Sequence, residues 1–296
     1  FGSPGFFSLP LAFRGVHDLH PQNLCPAVMK PRILVSEYDR ADSGKRRPNA
    51  LRRLIGLLNR EAQVSRALIR ESFISATLGH FALIPFILRV LLPRQAGKIH
   101  EVFHSPEVEE SSFKITGLHE DLTENQVQDI IVGGIQDIFE TSGITADPAN
   151  LIVIMGHGSS SLNNPHESAH DCGACGGNRG APNARLFARF ANDPKIRQAL
   201  RERGVNIPDS SYVIGAYHDT CDDTLTVFDQ KLIPLSHIEH ASKVIAEIEE
   251  ACARNAAERA RRFLNHPKLL TPKAAAIEML HRAEDFAQPR PEYMSG

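Results

Sequence analysis

The sequence predicts an α/β domain, because helical and strand patterns alternate along its second half. Two continuous apolar runs, at residues 151–155 and 212–217, have the length of strands buried on both faces. Amphipathic helical patterns lie before, between and after these runs, at residues 123–142, 183–203 and 236–264. This order predicts a mostly parallel sheet flanked by helices, with its ligands at the carboxyl ends of the strands.

The composition excludes several classes of protein. Hydrophobic residues make up 42% and charged residues 23% of the 296, which argues against a disordered or fibrous chain. There are 33 Lys and Arg against 35 Asp and Glu, so the formal charge of −2 gives no general reason to expect a nucleic-acid partner. Five cysteines are too few and odd in number for a disulfide framework, which favours a reducing compartment.

The amino-terminal third has weak structural patterns. Residues 1–36 are rich in Pro and Gly around short apolar runs, and we expect loops with one or two short strands there. The basic stretch 42–48 predicts an exposed connector, with a membrane-surface or partner-binding patch as the alternative. Apolar residues then recur at spacings of three and four within residues 50–72, which predicts a helix.

Residues 73–92 form an apolar stretch that is long enough to span a membrane. His80, Pro85 and Arg89 interrupt it, and a charged side chain at membrane depth costs about 3 kcal/mol on insertion scales. We therefore predict a buried or partner-facing helix rather than a membrane span.

The helix at residues 123–142 carries the clearest start and stop signals. Thr123 with Gln126 three residues later forms a capping box, and Gly143 provides the stop. Further along the chain, Asp193-Pro194 predicts a break within the next helix. Residues 224–228 predict a third strand that could run antiparallel, and a long helix is expected after Pro234.

The long loop at residues 156–180 concentrates the chemistry-bearing side chains, which are His157, His166, His170, Asp171, Cys172 and Cys175. Cys172 and Cys175 have the C-x-x-C spacing that serves either metal binding or redox chemistry. Because two glycines follow Cys175, the loop is a poor helix start and metal binding is favoured. The alternative without function is a pair of buried thiols beside surface histidines.

His157 is the strongest single candidate, since it follows a predicted buried strand between Gly156 and Gly158. The neighbouring sequence lacks the lysine of a phosphate-binding loop and does not match a serine nucleophile elbow. Residues 218–223, His-Asp-Thr-Cys-Asp-Asp, follow the second strand. They predict either a polar turn or a further part of the site edge.

Longer motifs in this region resemble the DabA family, the large soluble subunits of an energy-coupled inorganic carbon pump in bacteria. The loop carries Gly-His-Gly-Ser at 156–159, Asn-Asn-Pro-His-Glu-Ser at 163–168 and Asp-Cys-Gly-Ala-Cys-Gly-Gly at 171–177. Shorter matches cover nearly the whole chain, at residues 5–7, 25–26, 30–32, 218–220 and 255–259.

The resemblance implies a β-carbonic-anhydrase-like core, with a helical insertion and a zinc ion. Two of the implied ligands match His157 and Cys172, and the other two come from an upstream Cys-x-Asp-x-Arg motif. No Cys-x-Asp precedes His157 here, so the catalytic residues of that motif have no counterpart. Because the chain begins at Phe1 rather than Met, we expect an internal segment that carries half of the zinc site and is inactive alone.

The resemblance also implies a function, a partner and a location. The expected reaction is zinc-dependent hydration of CO2 to bicarbonate, coupled to a membrane-embedded, proton-conducting (DabB-like) subunit. The expected location is the cytoplasmic side of the inner membrane, as a peripheral subunit. We expect two domains: residues 1–105, a Gly/Pro-rich segment with a helical insertion whose helix 73–92 could face the partner, and residues 106–296, which hold the zinc site.

Two other functions remain as alternatives. In the first, a structural zinc is held within the chain by Cys172, Cys175 and two of the loop histidines, His157, His166 and His170. In the second, Cys172 and Cys175 form a reversible disulfide without metal.

Overall fold

The computed structural model describes residues 9–39 without 17 and 19, 83–84, 87–88, 91–92, 95, 111–117, 122–145, 148–159, 171–262 and 271–284. Within these ranges there are seven strands and five α-helices. The strands are β1 (Leu11–Arg14), β2 (Gln22–Leu24), β3 (Ile33–Asp39), β4 (Ser111–Gly117), β5 (Leu151–Gly158), β6 (Tyr212–Asp219) and β7 (Leu225–Val227). The helices are α1 (Glu124–Thr141), α2 (Ala181–Ala191), α3 (Pro194–Glu202), α4 (Leu235–Ala260) and α5 (Pro272–Glu284).

The first sheet has the strand order β2-β1-β3-β4. β1 and β3 run parallel, whereas β2 and β4 pair antiparallel with their neighbours. Sequence patterns predicted only one or two strands before residue 36 and none at 111–117. β4 escaped the prediction because its sequence, Ser-Ser-Phe-Lys-Ile-Thr-Gly, has few apolar residues and lies half-buried at the end of the described sheet.

The second sheet has the order β5-β6-β7. β5 and β6 are parallel, as predicted, and β7 is antiparallel to β6. Both described sheets are therefore mixed. The α/β class is confirmed, whereas a mostly parallel sheet with a carbonic-anhydrase-like core is not.

The apolar run at residues 151–155 was predicted to form a strand that is buried on both faces. This prediction is wrong for the strand that it forms, β5. Residues 151–154 are only partly buried, and 42% of Met155 is exposed. Among the described residues β5 has one strand neighbour, β6, so no described strand covers its other edge.

The helix signals read from the sequence agree with the structure. The Thr123 side chain accepts the Gln126 backbone N–H, and the Gln126 side-chain oxygen accepts the Thr123 backbone N–H. Gly143 adopts a left-handed conformation with φ of 73° just after α1. Asp193 caps α3 by accepting the backbone N–H groups of Lys195 and Ile196, which produces the predicted break.

One hydrophobic core joins the two sheets to α1, α2 and α3. It includes Leu11 and Val35 from the first sheet, Val213 from the second, Ile135 from α1 and Leu186 from α2. The second sheet approaches α2 closely, since a Cβ atom added to Gly215 would lie 2.8 Å from the Arg185 Cα. A separate, smaller cluster joins α4 to α5 through alanines and Met279.

A buried ion-pair network also ties the sheets together. Arg185 on α2 donates to Glu37 of β3 at 2.8 Å and to both oxygens of Asp229 at 2.7 and 3.0 Å. Arg189 donates to the same two Asp229 oxygens. β3 also pairs with β4 across the predicted boundary at residue 105, and the division into two domains stays a prediction.

The apolar stretch 73–92 is described at six positions. Residues 83, 84, 87, 88 and 91 are helical, and the side chains of Leu83, Ile84, Ile87, Leu91 and Leu92 are exposed. None of the described helices has the length and apolar character that crossing a membrane requires. The predicted connector at 42–48 and the helix at 50–72 lie outside the described residues.

Candidate metal centre

The carboxyl ends of β5 and β6 meet at one edge of the second sheet. In the parallel register His157 pairs with His218, and Gly158 pairs with Asp219. Paired residues of neighbouring strands project to the same face about 5 Å apart. The sheet therefore places two histidines at neighbouring positions of the edge where α/β proteins bind ligands.

The loop that follows β5 returns closely against the strand. Gly180 donates its backbone N–H to the His157 carbonyl oxygen at 2.8 Å. The glycines on either side of His157 do not form a turn, because β5 continues through Gly158. Gly156 is needed for a different reason, because a Cβ atom there would lie 2.3 Å from the Gly180 carbonyl oxygen.

The C-x-x-C segment forms a single 3-10 turn rather than the start of a longer helix. The Cys175 backbone N–H donates to the Cys172 carbonyl oxygen at 2.9 Å, and that of Gly177 donates to the same oxygen at 3.1 Å. Gly176 and Gly177 have φ angles of 69° and 80°, which glycine adopts without strain. This agrees with the sequence argument that glycines after Cys175 prevent a helix.

The turn brings Cys172 within hydrogen-bonding reach of His157, the other residue that the resemblance implies as a zinc ligand. The His157 imidazole is exposed at the sheet edge, whereas Cys172 is only 4% exposed. A hydrogen bond with Cys172 raises the pKa of His157 despite its partial burial, and the negative charges of Cys172 and Asp171 act in the same direction. The hydrogen bond from Cys175 is the main cause that lowers the pKa of Cys172, to about 4. Burial of the thiol raises this pKa, whereas the hydrogen bond and positive charge of His157 lower it further. The two side chains thus shift each other's pKa in opposite directions, upward for His157 and downward for Cys172.

Cys175 differs from Cys172 in its surroundings. It is 3% exposed, and its hydrogen bond to Cys172 and its burial both raise the pKa of its thiol. The Asn183 Nδ2 atom donates to the Cys175 sulfur at 3.6 Å and to the Leu24 carbonyl oxygen at 3.1 Å. Asn183, which no sequence motif singled out, therefore links the thiol to the end of β2.

The residues that the structure describes match zinc in donor type but supply only part of a site. Neutral imidazole and thiolate are both common zinc ligands, and His157 and Cys172 lie within hydrogen-bonding reach of each other. Within the described ranges, no group of three or more His, Cys, Asp and Glu side chains is arranged to hold a metal ion. His166 and His170 lie outside those ranges. Asp171 accepts the Ser159 backbone N–H at 2.8 Å, which holds the two ends of the loop together.

The polar segment after β6 is a tight turn that also contributes to the site edge. The Asp223 backbone N–H donates to the Asp219 carbonyl oxygen, and Asp223 has a φ of 61°. Its carboxylate lies 3.1 Å from Nε2 of His218 and accepts from Asn255 at 2.8 Å. Arg259 forms an ion pair with the same carboxylate at 2.9 Å. Asn255 and Arg259 stood out in the sequence only as the ends of the short match at residues 255–259, without a role. Their i, i+4 spacing places them on one face of α4.

These features define an α/β protein with a histidine–cysteine candidate metal centre at the carboxyl edge of a parallel strand pair. The family model described as "Probable inorganic carbon transporter subunit DabA" matches residues 1–295, and the chain belongs to this family.

Relatives with the same description support the assignment. The chain is 38% identical over 302 residues to the probable inorganic carbon transporter subunit DabA 2 of Rhodopirellula baltica. This match covers 98% of this chain and 28% of the relative. It is 35% identical to DabA 2 of Sorangium cellulosum and to DabA of Methylococcus capsulatus, again over 98% of this chain. The chain spans less than a third of the length of these relatives. No solved structure matches it.

Proposed function

We propose that the whole protein hydrates CO2 to bicarbonate at a zinc site, as a subunit of an energy-coupled inorganic carbon pump. The observation that carries the proposal is the hydrogen bond between the His157 and Cys172 side chains at the carboxyl end of β5. The names of the relatives, inorganic carbon transporter subunits, support the substrate class.

The residues of this chain would hold the metal and shape its surroundings. His157 would bind through a ring nitrogen and Cys172 through its thiolate, whose charged form the local hydrogen bonds already favour. Zinc lowers the pKa of a bound water toward neutrality, as it does in other carbonic anhydrases, and this is the chemistry that it would supply. The two remaining ligands would come from an upstream Cys-x-Asp-x-Arg motif, in a β-carbonic-anhydrase-like core.

The proposal includes a partner and a location. Energy coupling requires a membrane-embedded, proton-conducting subunit of the DabB kind, and the protein would be peripheral on the cytoplasmic side of the inner membrane. The exposed apolar side chains of Leu83, Ile84, Ile87 and Leu91 offer one surface for such a contact.

The test compares three variants of the whole protein, His157→Ala, Cys172→Ala and Cys175→Ser, in cells that depend on the pump. Bicarbonate accumulation is measured with labelled inorganic carbon, and zinc per purified chain by elemental mass spectrometry. We expect the first two variants to lose accumulation and zinc, and Cys175→Ser to keep zinc. Normal accumulation in cells with His157→Ala or Cys172→Ala would exclude the proposed site.

A structural zinc is the second candidate, because the hydrogen bond between Cys172 and Cys175 places two sulfur donors side by side. The same experiment separates the two candidates. If Cys175 is a ligand, Cys175→Ser releases the metal and destabilises the loop. A Cys172–Cys175 disulfide in purified protein without zinc would instead favour the redox alternative.

A further inference from the structure

A buried polar network lies beneath the sheet edge that carries His157. Its centre is the Asp223 carboxylate, whose side chain is 1% exposed. Oδ1 of Asp223 lies 3.1 Å from Nε2 of His218 and accepts the Asn255 amide at 2.8 Å, while Oδ2 lies 2.9 Å from an Arg259 guanidinium nitrogen. Three side chains from β6 and α4 thus converge on one carboxylate.

The network fixes the orientation of the His218 ring. A carboxylate that already pairs with a guanidinium and an amide accepts hydrogen bonds, so the proton of His218 belongs on Nε2, facing Asp223. In neutral histidine the other ring nitrogen, Nδ1, then has a free lone pair. No residue of the described part of the chain forms a hydrogen bond with Nδ1, and the His218 side chain remains 21% exposed.

The position of His218 in the sheet indicates a function for this lone pair as a hydrogen-bond acceptor. His218 is the register partner of His157, so both side chains project from the same face at neighbouring positions of the sheet edge. A hydrogen-bond acceptor in this place lies next to the proposed ligand without being needed to hold the metal.

His218 is not needed to anchor α4 to the sheet. The Arg259 guanidinium donates to the carbonyl oxygens of Thr220 and Cys221 as well as pairing with Asp223. Asn255 adds a bond from the same helix. The helix is therefore held by its own residues, and it does not need the partly exposed His218 imidazole for this contact.

We propose that His218 is a further catalytic residue, whose Nδ1 accepts a hydrogen bond from the O–H of the water consumed or the bicarbonate formed. Asp223 is its positioning residue, because it sets the tautomer and the ring plane. This inference rests on the proposed CO2 hydration and adds a residue to it.

Two amide substitutions test the inference in the whole protein. Each keeps one of the two hydrogen-bonding groups of the imidazole, either the donor toward Asp223 or the acceptor at Nδ1. His218→Gln retains an N–H that can reach Asp223 but no acceptor at the position of Nδ1. His218→Asn places an acceptor near Nδ1 and loses the reach to Asp223. If His218 contacts substrate, Gln lowers the maximal uptake rate about ten-fold or more and Asn retains more uptake than Gln.

Zinc per chain and thermal melting are the readouts besides activity, and both should be unchanged in His218→Gln. Normal uptake by His218→Gln, or zinc loss in that variant, would overturn the inference, since His218 would then be structural or a ligand. His157→Ala is measured in parallel. If it also leaves uptake normal, the proposed function fails; if it abolishes uptake while His218→Gln is normal, only the role of His218 fails.

Discussion

Gly156 and Gly180 are in backbone contact across the candidate metal centre. A Cβ atom on Gly156 would lie 2.3 Å from the Gly180 carbonyl oxygen, and one on Gly180 would lie 3.1 Å from the backbone nitrogen and oxygen of His157. The return of the loop to β5 therefore depends on the absence of a side chain at two positions. This contact fixes where the loop ends relative to His157.

The first prediction follows from this contact. Gly156→Ala should displace the loop end, lower the stability by about 1–3 kcal/mol and reduce zinc per chain, because neither backbone can move without breaking the ladder or the loop. The matched control is Gly173→Ala, where an added Cβ meets nothing within 4 Å. Thermal melting and elemental mass spectrometry of both variants check this, and equal behaviour of the two would contradict it.

The Arg185 network should be essential for stability. Arg185→Ala leaves Glu37 buried without its cation and Asp229 with Arg189 alone. Losing one partner of a buried ion pair costs about 3–5 kcal/mol. Arg201→Ala, which breaks the exposed pair with Asp209, should cost less than about 1 kcal/mol. Denaturant unfolding of the two variants gives the comparison, and a similar loss in both would argue against a structural role for the network.

Asp222 should make the protein less stable as the pH rises. Burial, with the negative charge of Asp219, raises the pKa of Asp222 to about 6, although hydrogen bonds from Thr224 oppose this. Because the folded state holds the proton more tightly than the unfolded state, stability falls as the pH rises from about 4 to about 6.

Asp222→Asn removes this dependence and keeps an oxygen for the Thr224 backbone and hydroxyl donors. We expect the variant to gain stability over the original protein at pH 7, by at most about 3 kcal/mol, and to gain little near pH 4. Melting temperatures measured at several pH values provide the test. A gain that does not change with pH would show that the charge of Asp222 is not responsible.

The capping box offers the simplest test of a local sequence signal. Thr123→Ala removes the hydroxyl that accepts the Gln126 backbone N–H at 3.4 Å, and should destabilise the protein by about 1 kcal/mol. Thr123→Ser keeps the hydroxyl and should cost much less. If Ser and Ala behave alike in denaturant unfolding, the cap contributes nothing to stability.

Local sequence patterns were sufficient to predict several elements of the fold. The limits of α1, the break at Asp193-Pro194 and the β5 and β6 strands could be predicted because capping, proline sterics and apolar runs act within a few residues. β4 could not, since a half-buried strand of mixed polarity owes its pairing with β3 to residues far away in the chain.

The sequence by itself determined which side chains could bind zinc, because ligand chemistry resides in residue types, and His157 and Cys172 stand out in their motif. Only the tertiary structure decided how they are arranged. It brought Cys172 to His157, gave Cys175 hydrogen bonds to both Cys172 and Asn183, and joined His218 to Asp223 and α4. Such contacts arise from strand register and packing between distant segments, which no local pattern encodes.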